Sequence, residues 1–529
     1  MKAVLNNIMI PIERDQDKAI KSELIKKGID ISNIVNIEYM KRSIDSRKKS
    51  QIKFLYNLEL TFKKPVDIEN HKWLSKPKNI TFKPRKSKNL DGNIGIVGSG
   101  PAGLFAALRL CEYGYTPIIF ERGKKVEDRD RSIDEFYNSD DLDINSNIQF
   151  GEGGAGTYSD GKLNTRVKSE YITHVFETLV ELGAQKEIMW DYKPHIGTDI
   201  LKKVVRNLRE KIISMGGKFY FNTLVEDVVI KSKKIKGVEV RNLSQDIQSP
   251  TEFIEVDHLI LAIGHSARDT YRMLDRNGVF MENKPFAMGT RIEHKRDVID
   301  RMQYGKFANH PNLEAATYSM TFNNKAENRG VFSFCMCPGG VIVNAASEKN
   351  TSLVNGMSYS KRDGEFSNSA IAVGIKANEF GEYLFSGMEY QEKLEKSAYD
   401  RVGNYGGVAQ RVGDFIKNKP STSLPRSSYP MRLKSHDLNE FFPDVIKDNM
   451  KLAFSKWKSM SGFITNEALL IGPETRTSAP VKITRNELGE SVSTHGLYPI
   501  GEGAGYAGGI TSAAIDGLKI VDNIFAVKK

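Results

Sequence analysis

Residues 93–122, NIGIVGSGPAGLFAALRLCEYGYTPIIFER, constrain the fold of this chain more than any other stretch. The apolar run 94–97 reads as a buried parallel strand. Gly98, Gly100 and Gly103 follow at G-x-G-x-x-G spacing. Pro101 and Ala102 lead into a helical pattern that runs to 113, Gly114 stops it, and a second strand over 117–120 ends at Glu121 and Arg122. Each part has a physical task. Gly98 permits the tight turn, Gly100 lets a pyrophosphate approach the backbone, and Gly103 lets the helix pack closely on the strand. The amides at the helix start face the phosphates with the positive end of the helix dipole behind them. Glu121 stands 23 residues beyond Gly98, where a carboxylate accepts hydrogen bonds from an adenosine ribose and repels a 2′-phosphate. A glycine triplet alone is weak. Strand, turn, helix, strand and acid in this order predict a dinucleotide site that excludes NADP.

Two later stretches extend the reading. Residues 149–163, QFGEGGAGTYSDGKL, carry five glycines within 151–161, which serve neither helix nor sheet because glycine costs entropy in both. A surface loop is one explanation. The favoured one is a connection lying along a pyrophosphate and a flavin ring, with Gly153, Gly154 and Gly156 giving close approach and Ser159, Asp160 and Lys162 presenting polar groups. Near the C-terminus, GLYPIGEGAGYAGGITSAAIDGLKIVDNIF reads as a strand over 497–500, a turn at Gly501-Glu502-Gly503, and a helix over 510–525 opened by Gly509 and Ile510. In flavoproteins such a turn carries an acid for the ribityl chain, and the helix start stabilises negative charge on the reduced ring. A domain that binds only NAD has no use for it, so the cofactor expected is FAD, held non-covalently. The commoner acid there is Asp; Glu502 is one methylene longer.

Between these stretches, helices are expected over 170–183 and 198–215. A strand over 218–230 places Val225 near adenine, a hairpin follows, and a strand over 259–263 ends at Gly264. The fold class expected is α/β: a Rossmann-like FAD-binding domain whose central parallel sheet carries a three-stranded antiparallel crossover. Its two parts, 91–279 and 471–529, flank an inserted α+β substrate domain, 280–470, in which strand-like alternation dominates and long helical runs are few. A small basic α/β domain with its linker occupies 1–90, with strands over 4–12, 34–40 and 52–62, a helix over 17–27, and KRSIDSRKK at 41–49 as a basic turn. The stretch 76–93 suits a linker.

Charge and cysteine content bound the rest. The net charge of +11 sits in residues 1–90, which carry 21 Lys+Arg against 10 Asp+Glu, while the remainder balances. A nucleic acid or other anionic partner fits this excess, but a solvated lysine-rich surface is favoured, because no aromatics interleave with the charges at 41–49. No apolar run reaches about 18 residues and the N-terminus lacks the shape of a signal peptide, so no membrane association and a cytoplasmic location are expected. Three cysteines form no disulfide framework. Cys335 and Cys337 alternate onto one face of a strand, poorly set for a disulfide, and read as packed rather than redox-active. His294 and His310 have no partner at metal-ligand spacing, and no metal site is expected.

Together, GIVGSGPAGLFAALRL, Glu121-Arg122-Gly123, QFGEGGAGTYSDGKL, LAIGHSARDT, CMCPGGVIVNAASE and IGEGAGYAGGITSAAIDG carry a resemblance that spans nearly the whole chain, KRSIDSRKK included. The sequence resembles the bacterial FAD-dependent (NAD(FAD)-utilising) dehydrogenases. These belong to the two-dinucleotide-binding-domain flavoprotein superfamily that includes glutathione reductase. The resemblance implies FAD binding and oxidoreductase chemistry without naming a substrate. No second strand–GxGxxG–helix unit lies in 280–470, so NADH or NADPH, if it is the electron donor, docks transiently. Hydride transfer between flavin N5 and a small molecule is the expected reaction, with His265, Arg291 and Arg476 as substrate contacts. Arg476 is read equally as a clamp for a carboxylate or carbonyl and as an ion pair joining the inserted domain to the core. The alternative is a flavin-containing, nucleic-acid-associated protein that uses residues 1–90.

Overall fold

The computed structural model describes residues 1–77, 86–88, 90–245, 250–460 and 462–527. Half of the expected linker, 78–85 and 89, lies outside the described residues. Four sheets among the described residues organise the molecule. The parallel one has five strands in the order Leu497–Pro499, His258–Leu261, Ile94–Val97, Ile118–Phe120, Lys218–Tyr220. Such sheets are buried on both faces, and Ile96, Ile119, Ile260 and Leu497 are fully enclosed. Helices Pro101–Glu112 and Ile510–Phe525 pack together on one face; a Cβ on Gly517 would sit 2.3 Å from the Ala102 carbonyl oxygen.

The chain leaves this sheet through a three-stranded antiparallel crossover, ordered Glu252–Glu255, Lys234–Asn242, Thr223–Lys231. One strand over 218–230 was expected here. Two are found, because Asn222 takes a left-handed conformation (φ 50°) that hands the chain from one sheet to the other. Asparagine tolerates that region better than most residues.

Four strands in the order Ile34–Asp45, Lys53–Phe62, Lys2–Pro11, Leu74–Ser75 form the N-terminal sheet, with helix Gln16–Lys26 beside it. The alternating Phe54, Tyr56, Leu58 and Leu60 are buried as a half-buried strand requires. Residues 41–45, expected in a turn, continue the strand instead. Ile44 pairs with Phe54, and the Arg42 guanidinium meets Asp191 through two bonds of 2.7 and 2.9 Å, so its charge is satisfied without leaving the sheet. This unit shares one hydrophobic cluster with a seven-stranded sheet. The order in that sheet is Thr321–Asn324, Arg329–Cys337, Phe366–Ile375, Phe286–Lys295, Leu469–Glu474, Gly407–Arg411, Leu433–Ser435.

Helices Ser386–Val402 (17 residues) and Asp444–Trp457 (14 residues) flank it, where few long helical runs were expected. Buried Gln391, Glu395 and Asn449 lie on their inward faces and break the apolar periodicity that signals a helix. No helix among the described residues is long and apolar enough to cross a membrane.

Candidate functional site

A single cavity runs along the carboxyl edge of the parallel sheet, the edge at which open α/β sheets bind ligands. Its floor explains the first glycines. Gly98 has φ +97°, and a Cβ there would lie 2.4 Å from the Ala262 carbonyl oxygen; one on Gly103 would lie 2.1 Å from that of Gly98. Gly100 starts helix Pro101–Glu112, and Gly509 starts Ile510–Phe525. Neither start has a side-chain cap or a first-turn acid, and both line the cavity. Two positive helix ends therefore open on one space with no anion of the protein assigned to them.

The glycine-rich connection forms the roof. A Cβ on Gly154 would be 3.3 Å from Gly100 Cα, and one on Gly156 would be 3.2 Å from Ile510 Cγ1, so the connection passes close over both helix starts. Gly153 does not line the cavity, contrary to expectation. It turns the chain at φ +80°, where a Cβ would lie 2.0 Å from Thr157 Oγ1.

What holds this glycine-rich segment in place is Arg129, fully buried on helix Val126–Ser139. Its guanidinium donates to the carbonyls of Asn147 (2.7 Å), Ile148 (2.8 Å), Glu152 (2.8 Å) and Gly154 (2.9 Å), and it lies over the Tyr158 ring. By sequence, residues 127–147, EDRDRSIDEFYNSDDLDINSN, read as a polar helix with an exposed loop. The signal was the spacing of Val126, Arg129, Ile133 and Phe136, which puts the arginine on the apolar stripe. Glu152, also buried, accepts from the Val126 amide and from Arg209 at 2.7 Å; burial pushes its carboxyl up to about 7.

Polar residues at the Glu121 end of the cavity are already engaged. Glu121 accepts from the Ser99 amide and hydroxyl and from the amides of Gly123 and Gly151, at 2.8–3.1 Å. Those four donors fill the lone-pair positions of a carboxylate, so a ribose hydroxyl must displace one, and the rotatable Ser99 hydroxyl is the one free to move. Arg122 contacts Asp269 and Thr270 and lies over the Phe150 ring at 4.5 Å. Val225 and Gly264 line the same space.

At the other end are Gly501, Glu502, Ser159, Asp160, Lys162, His265, Arg476 and Cys335. Burial pushes the Glu502 carboxyl up to about 7, against the pull of Lys284. Ser159 is turned to its own loop, donating to the Gly156 carbonyl and accepting from the Gly161 amide. Buried Asp160 binds Arg362 through both oxygens and Lys162 at 3.0 Å; these two opposed charges hold its carboxyl below the usual range despite its burial. His265 contacts Ser266, and burial, with Arg476 and Arg268 nearby, pushes its imidazole down to about 4.

Two expected substrate contacts need correction. Arg291 does not line the cavity: fully buried, it pairs with Glu474 (2.7 and 3.0 Å) and donates to Asn368 at 2.6 Å, because it faces the interior of its strand. Arg476 lines the cavity but is engaged by Glu395, Glu348 and Ser347. Glu395, on Ser386–Val402, is also held by Arg268, so one enclosed carboxylate ties two arginines to the helix. Of the two roles for Arg476, the ion pair is the one observed. Arg129, Arg268, Glu395 and Cys335 were not among the predicted site residues.

Residues 285–477 match the family described as FAD-dependent protein, C-terminal domain-like, and residues 1–61 match a domain of unknown function. A Clostridium beijerinckii protein, named only "Uncharacterized protein", is 41% identical over 535 residues, covering 98% of each chain. The chain belongs to that protein's family. Among solved structures, similarity extends to CtdE in complex with FAD (12% identity, 82% of this chain and 84% of that one, TM-score 0.32). It extends also to a geranylgeranyl bacteriochlorophyll reductase-like protein from Thermoplasma acidophilum (12%, 82% and 78%, TM-score 0.34) and to CmlS, a flavin-dependent halogenase (12%, 82% and 59%, TM-score 0.37).

Proposed function

We propose that this chain is an FAD-dependent oxidoreductase of the dehydrogenase type. The observation that carries the reading is the pair of uncapped helix starts, Gly100 and Gly509, opening on one cavity under a glycine roof. The residues present fit the cofactor. Nothing but hydrogen projects from Gly100 and Gly154 where the two backbones face each other, and the amides of Gly100 and Ala102, on either side of Pro101, suit a pyrophosphate. In this reading Glu121 serves the ribose, Arg122 and Val225 the adenine, and Glu502 the ribityl chain. The helix starting at Gly509 and Ile510 serves the pyrimidine edge of the ring.

Bound FAD supplies hydride acceptance and release at N5. The protein's own part is positional and electrostatic. The positive end of Ile510–Phe525 favours negative charge at its mouth, Lys162 adds an ammonium anchored by Asp160, and Arg129 keeps the roof closed over both. His265 is neutral at pH 7 and offers a substrate a hydrogen bond without a charge. Anaerobic titration of the purified holoprotein with NADH and NADPH tests the dehydrogenase assignment. Loss of the flavin bands with one nicotinamide supports it and identifies the donor. A flavin reduced by dithionite but by neither nicotinamide removes nicotinamide from the reading.

A further inference from the structure

Cys335 and Cys337 are not two equivalent packed thiols. Strand Arg329–Cys337 carries an irregularity between Phe334 and Cys337 in its pairing with Phe366–Ile375, and Cys335 sits in it with φ +44°. That left-handed conformation disfavours any residue but glycine and is found where a side chain is re-aimed. Its effect is to break the strand's alternation. Cys335 is half-buried and lines the cavity, while Cys337 is fully buried behind it. The Cys337 thiol donates to the Cys335 carbonyl at 3.3 Å.

Cations surround the pair. Lys162 donates to the carbonyl of Met336, between the two cysteines. Arg291, excluded above as a substrate contact, reaches the Cys335 carbonyl at 3.3 Å and Cys337 Sγ at 3.7 Å. The opposing charges are Glu474, pinned on Arg291, Asp160, pinned on Lys162 and Arg362, and Glu502 across the cavity. The neighbouring Cys337, Lys162 and Arg291 pull the Cys335 thiol down, and Cys337 is pushed well up. An attacking thiolate beside a protonated thiol is the arrangement that thiol–disulfide chemistry uses.

We propose that Cys335 and Cys337 form a redox-active dithiol that exchanges two electrons with the cofactor, a step that rests on the FAD reading above. The Cys335 thiolate and the Cys337 thiol join as a disulfide, releasing two electrons and the Cys337 proton. Oxidised flavin takes up all three and becomes its reduced anion. In reverse, reduced flavin opens the disulfide and restores the thiolate at Cys335. The strand irregularity leaves the Cys337 sulfur 3.3 Å from the Cys335 carbonyl, so the two residues do not keep the arrangement of regular i, i+2 strand positions.

Two measurements on the full chain test this. First, diamide-treated protein is digested without reductant and the peptide holding both cysteines is weighed, while iodoacetamide labelling of Cys335 in reduced protein is followed from pH 7 to 9. The proposal expects a loss of two hydrogens on oxidation. It also expects a labelling rate nearly flat with pH, where an ordinary thiol gains about tenfold per pH unit below its pKa. Second, anaerobic dithionite titration of diamide-treated holoprotein should consume about four electrons per flavin, falling to about two in Cys335→Ser and in Cys337→Ala, since a disulfide is a two-electron couple. A yellow wild type that takes up only about two, or a peptide that gains oxygen instead of losing hydrogen, overturns the dithiol and leaves FAD standing. A colourless protein that takes up no FAD but forms the disulfide overturns the cofactor reading, and with it the electron exchange.

Discussion

Replacing Arg129 by methionine is the perturbation that best separates the roof from the rest of the fold. The guanidinium has no carboxylate in hydrogen-bond contact; four backbone carbonyls hold it, and burial pulls its pKa down without discharging it. Hydrogen bonds from a charged donor are each worth about 1.5–3 kcal/mol, but burying the charge costs several kcal/mol. Removing the charge relieves that cost and leaves four carbonyls without their donor. The net expectation for Arg129→Met is a loss of about 3 kcal/mol. Because residues 149–163 connect elements rather than belong to a sheet, the loss falls first on the order of the roof. FAD binding must then restore that order, and about 3 kcal/mol corresponds to a dissociation constant raised about a hundredfold. Flavin fluorescence on titration reads the affinity, limited proteolysis reads the roof, and urea unfolding reads the global effect. Arg129→Lys, with a single ammonium in place of a planar fork, should recover less than half. An Arg129→Met protein with unchanged FAD affinity and a roof no more readily cut would refute the reasoning.

Gly100→Ala should fold normally, since a Cβ there comes no nearer than 4.0 Å to any protein atom, yet weaken FAD binding by at least about tenfold, read in the same titration, because the space it enters is the ligand's. For Glu502, the carboxyl raised to about 7 makes the flavin-free protein bind its proton more tightly than the unfolded chain. Its contribution to stability is therefore full below about pH 4.5 and lost as pH rises through 7, about 3 kcal/mol in all. Urea midpoints at pH 5 and 8 should fall less in Glu502→Gln than in the wild type. Glu395→Gln weakens the bonds between two buried arginines and their shared carboxylate and should cost about 3–5 kcal/mol by urea unfolding. A change below about 0.5 kcal/mol would mean that the enclosed network adds nothing to stability.

Much of the cavity surface was legible in the sequence for a definite reason. Glycines at 98, 100, 103, 154 and 509 stand where backbone meets backbone or ligand, and the strands and helices beside them keep the periods of 2.0 and 3.6 that burial on one face imposes. The turns after 97 and 500 were read from local signals alone. What escaped was the polar interior. Arg129 and Glu395 lie on inward helix faces where the pattern calls for apolar residues, and only their partners, distant in sequence, make them tolerable there. Arg291 was expected as a substrate contact, and nothing local announced Glu474 opposite it. The left-handed conformations at Asn222 and Cys335 were also invisible. Neither is a glycine, and each is imposed by the sheets on either side, so one strand split into two and a cysteine expected to be packed turned toward the cavity.

The absorption spectrum of the purified protein, with chromatography of the cofactor released by acid, tests the central claim most directly. The account predicts a yellow protein carrying about one FAD per chain, freed by denaturation without cleavage of a covalent bond. A colourless protein that takes up no FAD on reconstitution would contradict it.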